Sequence, residues 1–505
     1  MSFRRRWPAT LLTVLAAITL TACSAGSTAT QVGRVAGQNS VVVGATGVPA
    51  SLDFTTTGGA AIPQALMGNI YEGLVRIDAA GDIVPLLATS WEVSGDATEY
   101  TFRLREGVTF SDGSPFNAAS AKFSIGYVQE SWSNGLKAQM DVVESVEVLD
   151  EYTLKVVLEH PSQRWLWSMG TLTGAMMSPT GVDKLATTPV GTGPYELRRF
   201  SVGESVSFSV RGDYWGDPAN QNAAIRYFSD ATSAVNALRS GDIDVVWAMQ
   251  APELLDTLPE DYDVKVGTTN GEVLVSMNNN RAPFDDPRVR RAVAHAVDRR
   301  AANQVVWEGL AADTGGAPVP PTDPWFTGED FAPFDPGLSR ELLADAGFGP
   351  DNRPEITISV PSLPYAQNIS ELVYSQLRDV GFDVRLNTVE FPAVWLAEVM
   401  TAKNYDMSII AHVEARDIPA LFGNPGYYLG YDNQSVRDDL LAADTAATAA
   451  EQSEHMEQAV ATIMSEAGAL TVFNLPNIVV TAPGVTGVNP TVVTDALELA
   501  GMEKQ

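Results

Sequence analysis

Val41-Val42-Val43-Gly44-Ala45 is an unbroken apolar run of the kind that fills a strand buried on both faces. Tyr100-Thr101-Phe102-Arg103-Leu104 alternates large apolar with polar residues, the period of a half-buried strand. Ser90 to Ser94 reads as the strand before it, and Ser145 to Glu159 as a hairpin turning at Asp150-Glu151. Helical stretches are expected from about Ile62 and over Asn117 to Glu130. Tyr71 to Leu74 reads as a helix end that leads into a strand and a turn at Ala80-Gly81-Asp82.

Two later segments predict βα units. Ala224 to Phe228 reads as a strand, Ala231 to Arg239 as a helix stopped by Gly241, and Asp242 to Met249 as the returning strand. Glu355 to Val360, Asp383 to Val389 and Met407 to Val413 read as strands. They alternate with helices over Ala366 to Val380, closed by Gly381, and over Pro392 to Lys403. The short links predict a parallel sheet with right-handed crossovers. Between these segments, Asp286-Pro287 supplies an N-cap and a first-turn proline. Val289, Ala292, Val293, Ala296 and Val297 follow as one apolar stripe at helical spacing, and His295 lies off the stripe, as a surface residue would. Open α/β sheets bind ligands beyond the carboxyl ends of their strands, so two such units offering strand ends to one side predict a cleft between them.

Composition changes this picture only at the ends. The chain has 505 residues, 45% hydrophobic and 19% charged, enough for two or three ordinary globular domains. A formal net charge of −30 argues against nucleic-acid binding, which needs a basic face. Arg4-Arg5-Arg6 followed by apolar Leu11 to Leu20 reads as a signal peptide over 1–22, too short to span a bilayer comfortably. Leu20-Thr21-Ala22-Cys23 looks like a bacterial lipobox, which makes Cys23, the single cysteine, the expected lipid carrier. The small polar residues of 23–40 read as a flexible tether with a reach of roughly 20–25 Å. The expected location is therefore the outer face of the bacterial cell membrane, anchored by lipid.

The words YEGL, LATSWEVS and YTFRLREGVTFSDGSPF occur in order between Tyr71 and Phe116. VGTGPY (190–195), RGDYWG (211–216) and PFDDPRVRRAVAHAVDR (283–299) follow. Together they resemble the peptide/nickel-type extracellular solute-binding proteins of ABC importers. The resemblance implies an α/β, two-lobe periplasmic-binding-protein-like fold (class II type, peptide-binding cluster), with a small α+β domain inserted in the first lobe. On this chain the implied divisions are 41–74, 185–268 and 470–505 for lobe I, 75–184 for the inserted domain, and 269–469 for lobe II. Crossings between lobes are expected near 266–272 and 464–472. The inserted domain, which carries no tight cluster of titratable groups, is expected to be structural.

The resemblance also implies the site. In peptide-binding members an acidic residue in the loop after the last lobe II strand pairs with the peptide α-ammonium. Here that loop reads HVEARDIP and Glu414 takes the acidic place, with Asp417 as the later acid. Glu stands where relatives carry Asp, Ile418 precedes Pro419, and Ala411 replaces an aromatic. The alternative is an Arg416–Asp417 or Arg416–Glu414 ion pair that only holds the loop. Thr57, Gly58 and Gly59 in a Gly-rich loop, Trp247 and Met249 at a strand end, Tyr427 (with Tyr428 and Tyr431 following), and Phe473 with Asn474 on the return strand complete the candidates. Each has a plain packing alternative. VGTGPY has no following lysine and is not a phosphate loop, and no HExxH, G-x-S-x-G or metal-binding cysteine set is present. His412 lies near the expected cleft and is a candidate ligand for a metal complex. The implied role is capture of a short peptide by a non-enzymatic monomer without cofactor, for delivery to a membrane permease. A sugar, nickel chelate or opine as ligand, or a chaperone or signalling role, are the alternatives.

Overall fold

The computed structural model describes residues 40–505. The leader at 1–22, Cys23 and the tether up to 39 lie outside the described residues. Ser40, placed in the tether from sequence, is already the first residue of a buried strand.

A ten-stranded mixed sheet is the frame. From one edge its strands are Asp383–Val389, Glu355–Pro361, Met407–His412, Asp263–Met277, Leu470–Thr481, Val245–Val246, Ser40–Ala45, Asn222–Tyr227, Ser205–Val210 and Tyr195–Ser201. Glu355–Pro361 runs parallel to both of its successors, as short βαβ links require. The helix Pro364–Val380 between them ends at Gly381 with φ 121°, a backbone angle that disfavours any side chain. The helix Pro287–Ala296 starts on the Asp286 cap and buries the expected stripe completely.

The two central strands carry the chain between halves. Asp263–Met277 pairs with Leu470–Thr481, but the register breaks: Thr268 faces Pro476 and Glu272 faces Asn474. Residues 269–271 therefore bulge against Leu475. The Asn474 amide holds the bulge by donating to the carbonyls of Thr269 (3.0 Å) and Gly271 (2.7 Å). The return crossing thus falls beyond 464–472, because Leu470 is already paired with Val275 inside the second half.

Strand alternation divides the apolar residues by face. Val42, Ala224, Val246, Val273, Val275, Met407, Ile409, Ile478 and Val480 belong to one core that runs behind the whole sheet. On the front, Val41, Val43, Ile225, Val245 and Val479 join one core, while Leu274, Ile410 and the aromatics Trp325, Trp395 and Tyr428 join another. The front is where the two halves separate, and the cleft opens there.

The segment 75–184 adds a four-stranded antiparallel sheet in the order Ala88–Val93, Glu99–Leu104, Thr153–Leu158, Val143–Asp150, with the helix Ala118–Ser131 against it. Its core is continuous with the front core of the first half. The joint is built from three of the sequence words. Buried Glu72 accepts from Tyr214 Oη (2.7 Å), Thr192 Oγ1 (2.8 Å) and Trp215 Nε1 (3.0 Å). Buried Arg211 donates to the carbonyls of Gly191 and Gly193. A Cβ on Gly191 would meet Ile70 O at 2.0 Å, so the backbones approach too closely for a side chain.

Four expectations are corrected. Tyr71 to Leu74 is not a helix end: the helix stops at Leu66, and Tyr71 bridges Met67 so that Glu72 turns inward. The returning strand is only Val245–Val246, because the Asp244 carboxylate caps the Val42 N–H and Ala248 takes φ 53°. The segment 392–403 is a short turn, Ala393–Trp395, continued by a π-wound Leu396–Thr401. His295 is buried, its Nδ1 2.9 Å from Pro333 O.

Candidate functional site

A cavity of about 970 Å³ opens on the front of the sheet between the two halves. The first half lines it with Thr57, Gly58, Gly59 and 494–496, and the second half with 413–417, Trp325, Leu440, Asp444 and Met456. The inserted domain closes the third side with Asn134–Val142 and Glu159–Leu172. That domain is therefore a wall of the cleft, not only a support.

The Gly-rich loop at 57–59 is held by Asn134, whose amide donates to Phe54 O (3.2 Å) and Thr57 O (3.0 Å). Ser162 caps the helix Gln163–Ser168, which buries Trp165 and Trp167. The same helix end is tied to the second half. Ser162 Oγ and Arg164 N donate to the Asp444 carboxylate (3.0 and 2.9 Å), and Gln163 Nε2 donates to Ala446 O (2.9 Å). The halves are in contact across the cleft, the closed arrangement.

The strand Met407–His412 delivers its carboxyl end to the loop 413–417, as its parallel register demands. Arg416, at φ 54°, pairs with neither Glu414 nor Asp417. It meets buried Asp323 at 3.3 Å, donates to Gly81 O of the inserted domain at 3.3 Å, and lies between the rings of Trp167 (3.4 Å) and Trp325 (4.6 Å). With Arg416 committed elsewhere, Glu414 and Asp417 are left facing the cavity. His412, behind them, stacks on Tyr428 and places Nε2 2.8 Å from its hydroxyl.

The electrostatics are lopsided. Asp141, Glu159, Glu414, Asp417, Asp444 and Asp495 line the cavity against Arg164 and Arg416. Burial, then the charge of Glu414, raises Asp417 to about 8. Burial raises Asp323 to about 6, with Arg416 opposing. Asp495 is solvent-exposed where it opens onto the cavity, and the surrounding cleft walls, then the charge of Glu414, push its carboxyl upward. Glu272, wholly buried beside His412 in the sheet, is raised by burial and then by Asp417, Glu414 and Asp323. Burial lowers His412 to about 4, so it is neutral near pH 7. One oxygen each of Glu272, Asp323 and Asp417 is buried without a hydrogen-bond partner. The arrangement is a sink for positive charge.

The structure brings together Glu414, Arg416, Asp417, Thr57 and Gly58 around one cavity. It does not bring the others there. Trp247 and Met249 lie in the cores on opposite faces of the sheet, their N–H groups bonded to Gly44 O and Ile478 O. Phe473 is in the rear core, and Asn474 clasps the crossing between halves. Tyr427 stands half-buried behind the loop, its hydroxyl raised by burial and then by Glu414 and Asp417. Trp167, Trp325 and Asp495, which line the cleft, and buried Asp323, which pairs with Arg416, are groups that the sequence reading missed. The Ser162 cap ahead of two tryptophans, and a tryptophan within the proline-rich PVPPTDPWF, were the available signals.

Residues 82–430 match the family described as bacterial extracellular solute-binding proteins, family 5 middle. The chain is 28% identical over 338 residues to the glutathione-binding protein GsiB of Salmonella typhi, a match covering 65% of each chain. It thus spans about two thirds of the length of that relative. In fold it is similar to the ABC transporter substrate-binding protein CtaP from Listeria monocytogenes, with TM-score 0.82, 18% identity, and coverage of 92% of this chain and 99% of that one. It is likewise similar to DppA from Helicobacter pylori in complex with the peptide STSA, with TM-score 0.73, 24% identity, and coverage of 92% and 98%.

Proposed function

The chain belongs to the family 5 bacterial extracellular solute-binding proteins, and from that premise we propose that it captures short peptides in the cleft and delivers them to the membrane permease of an ABC importer. The observation that carries this reading is the pair Glu414 and Asp417 at the end of the Met407–His412 strand, free of Arg416 and facing the cavity. An α-ammonium there makes charge-assisted hydrogen bonds that fix the register of the ligand. A cavity of about 970 Å³ is the size of a pocket for a small molecule or short peptide. The carboxylate excess argues against glutathione, the ligand in the name of the GsiB relative, because glutathione brings more carboxylates than ammonium groups.

In this reading ligand binding closes the halves about the 269–271 bulge and Leu475, with 41–74, 185–268 and the chain beyond Leu475 as one lobe and 272–474 as the other. Cys23 carries a lipid after removal of 1–22, and the protein acts as a monomer. Labelling with a fatty acid, lost in Cys23→Ala, tests the anchor. The peptide is tested by calorimetry on Glu414→Ala. That change is expected to weaken a tripeptide with a free amino end by about 10-fold or more, and its N-acetylated form much less. Equal loss for both removes Glu414 from the ammonium role.

A second reading, a metal chelate, is favoured by one observation. His412, Glu414 and Asp417 offer ligand atoms that all lie within 4.8 Å of one another. Neutral His412 suits a metal. Stabilisation by a nickel–histidine complex and not by tripeptides would decide for it.

A further inference from the structure

Resting on the peptide reading, the charge balance of the cleft goes a step further. One ammonium group neutralises one carboxylate. Of the two arginines that line the cavity, Arg416 is already taken by Asp323, which leaves Arg164 of the inserted domain against the remaining carboxylates. Glu414 and Asp417 come from the second half, while Asp495 comes from the carboxyl-terminal segment of the first and faces Glu414 across the cavity. Glu272 sits behind them, 2% exposed, with one carboxyl oxygen unpartnered, as is one of Asp417. No ion pair engages Asp495, Glu272 or Glu414 among the described residues. Closure drives carboxylates of opposite halves together, and each added cation between them relieves that repulsion.

We propose that the preferred ligand carries two positive charges at its leading end, an α-ammonium held by Glu414 and Asp417 and a basic first side chain held by Asp495. The class is a short peptide beginning with lysine or arginine. Asp495 is then the first half's share of ligand recognition, and the second charge couples binding to closure, because it bridges groups that lie on different halves.

Calorimetry with Lys-Ala-Ala, Ala-Ala-Ala and 1,4-diaminobutane tests this on the mature protein and on Asp495→Asn. Lys-Ala-Ala is expected to bind at least ~10-fold more tightly than Ala-Ala-Ala, and Asp495→Asn to reduce that ratio to about 3-fold or less. Equal binding of the two tripeptides overturns the second charge and leaves the peptide reading standing. A ratio that Asp495→Asn does not change overturns the role of Asp495. Binding of the diamine and of neither tripeptide sinks the peptide reading and keeps the two-charge site. Binding of none of the three sinks both.

Discussion

The guanidinium carbon of Arg416 lies 3.4 Å from the ring centroid of Trp167, and the two residues belong to different walls of the cleft. Arg416 follows the cavity-facing Glu414 by two positions, while Trp167 belongs to the inserted domain. The contact that holds the cleft shut is thus two residues from the group that would receive the ligand. The Trp325 ring at 4.6 Å, the Asp323 carboxylate and Gly81 O complete the latch.

Arg416→Ala is expected to weaken ligand binding by about 10–100-fold, because a desolvated cation–π contact and its ion pair are lost together. Arg416→Lys should rescue little, since an ammonium lacks the flat face that fits between two indoles. Small-angle scattering of the ligand-free variant should show a larger radius of gyration. An Arg416→Ala protein as compact and as tight-binding as the parent would disprove the latch.

Gly81 sits at the partner end of that latch with φ 84°, and a Cβ there would come within 2.4 Å of Thr322 O in the second half. Gly81→Ala therefore combines a left-handed backbone with a steric wedge between the halves. The expected result is a ligand affinity lowered by about 10-fold or more. Glycine's replacement at Gly107, φ 77° with open space around it, controls for backbone strain alone. If Gly107→Ala costs as much affinity, the wedge is not the cause.

Most of the frame was legible because periodicity and terminators report it locally. Asp286 with Pro287 opened a helix, Gly381 closed another, and the 355–413 strands fell within a residue or two of their places. The failures come from contacts distant in sequence. Asp242 to Met249 has a strand's composition, yet Asp244 is spent on Val42 N and Ala248 turns the chain. Trp247 and Met249 look like strand-end aromatics and hydrophobes, and the cores on either face claim them. In the cleft, the loop 414–417 was readable from one strand and its successor. Trp167, Trp325, Asp323 and Asp495 were not, because three separate stretches meet only after the inserted domain folds against both halves.

Glu72 separates stability from binding. It lies outside the cleft, buried, and accepts three hydrogen bonds from Thr192, Tyr214 and Trp215 of the first half, beside the inserted domain. Glu72→Ala leaves the Thr192, Tyr214 and Trp215 donors without their acceptor, at a cost of about 3–5 kcal/mol. Chemical denaturation should show that loss. Ligand affinity of the protein that remains folded should fall by less than about 3-fold. A large affinity loss with little change in stability would reverse the assignment.

The buried carboxyls give stability a sign against pH that is opposite to the usual acid denaturation. Asp417 is raised to about 8, so the folded protein holds a proton there that the unfolded chain, near 3.8, releases. Its contribution is full below the unfolded value and is lost as pH rises through about 8; Glu272 acts in the same direction. His412, lowered to about 4, works against them, but only below about 6.5, where the unfolded imidazole takes up a proton. Between pH 8.5 and 6.5 the carboxyls act alone, and the melting temperature of the ligand-free protein should rise on acidification by about 1–3 °C. Asp417→Asn should flatten most of that slope. A cationic ligand needs the carboxylates ionised, so its affinity should run the other way and fall over the same interval, with proton release on binding seen as a buffer-dependent calorimetric enthalpy. Ligand affinity that rises on acidification would mean that the cleft does not bind its ligand through these carboxylates.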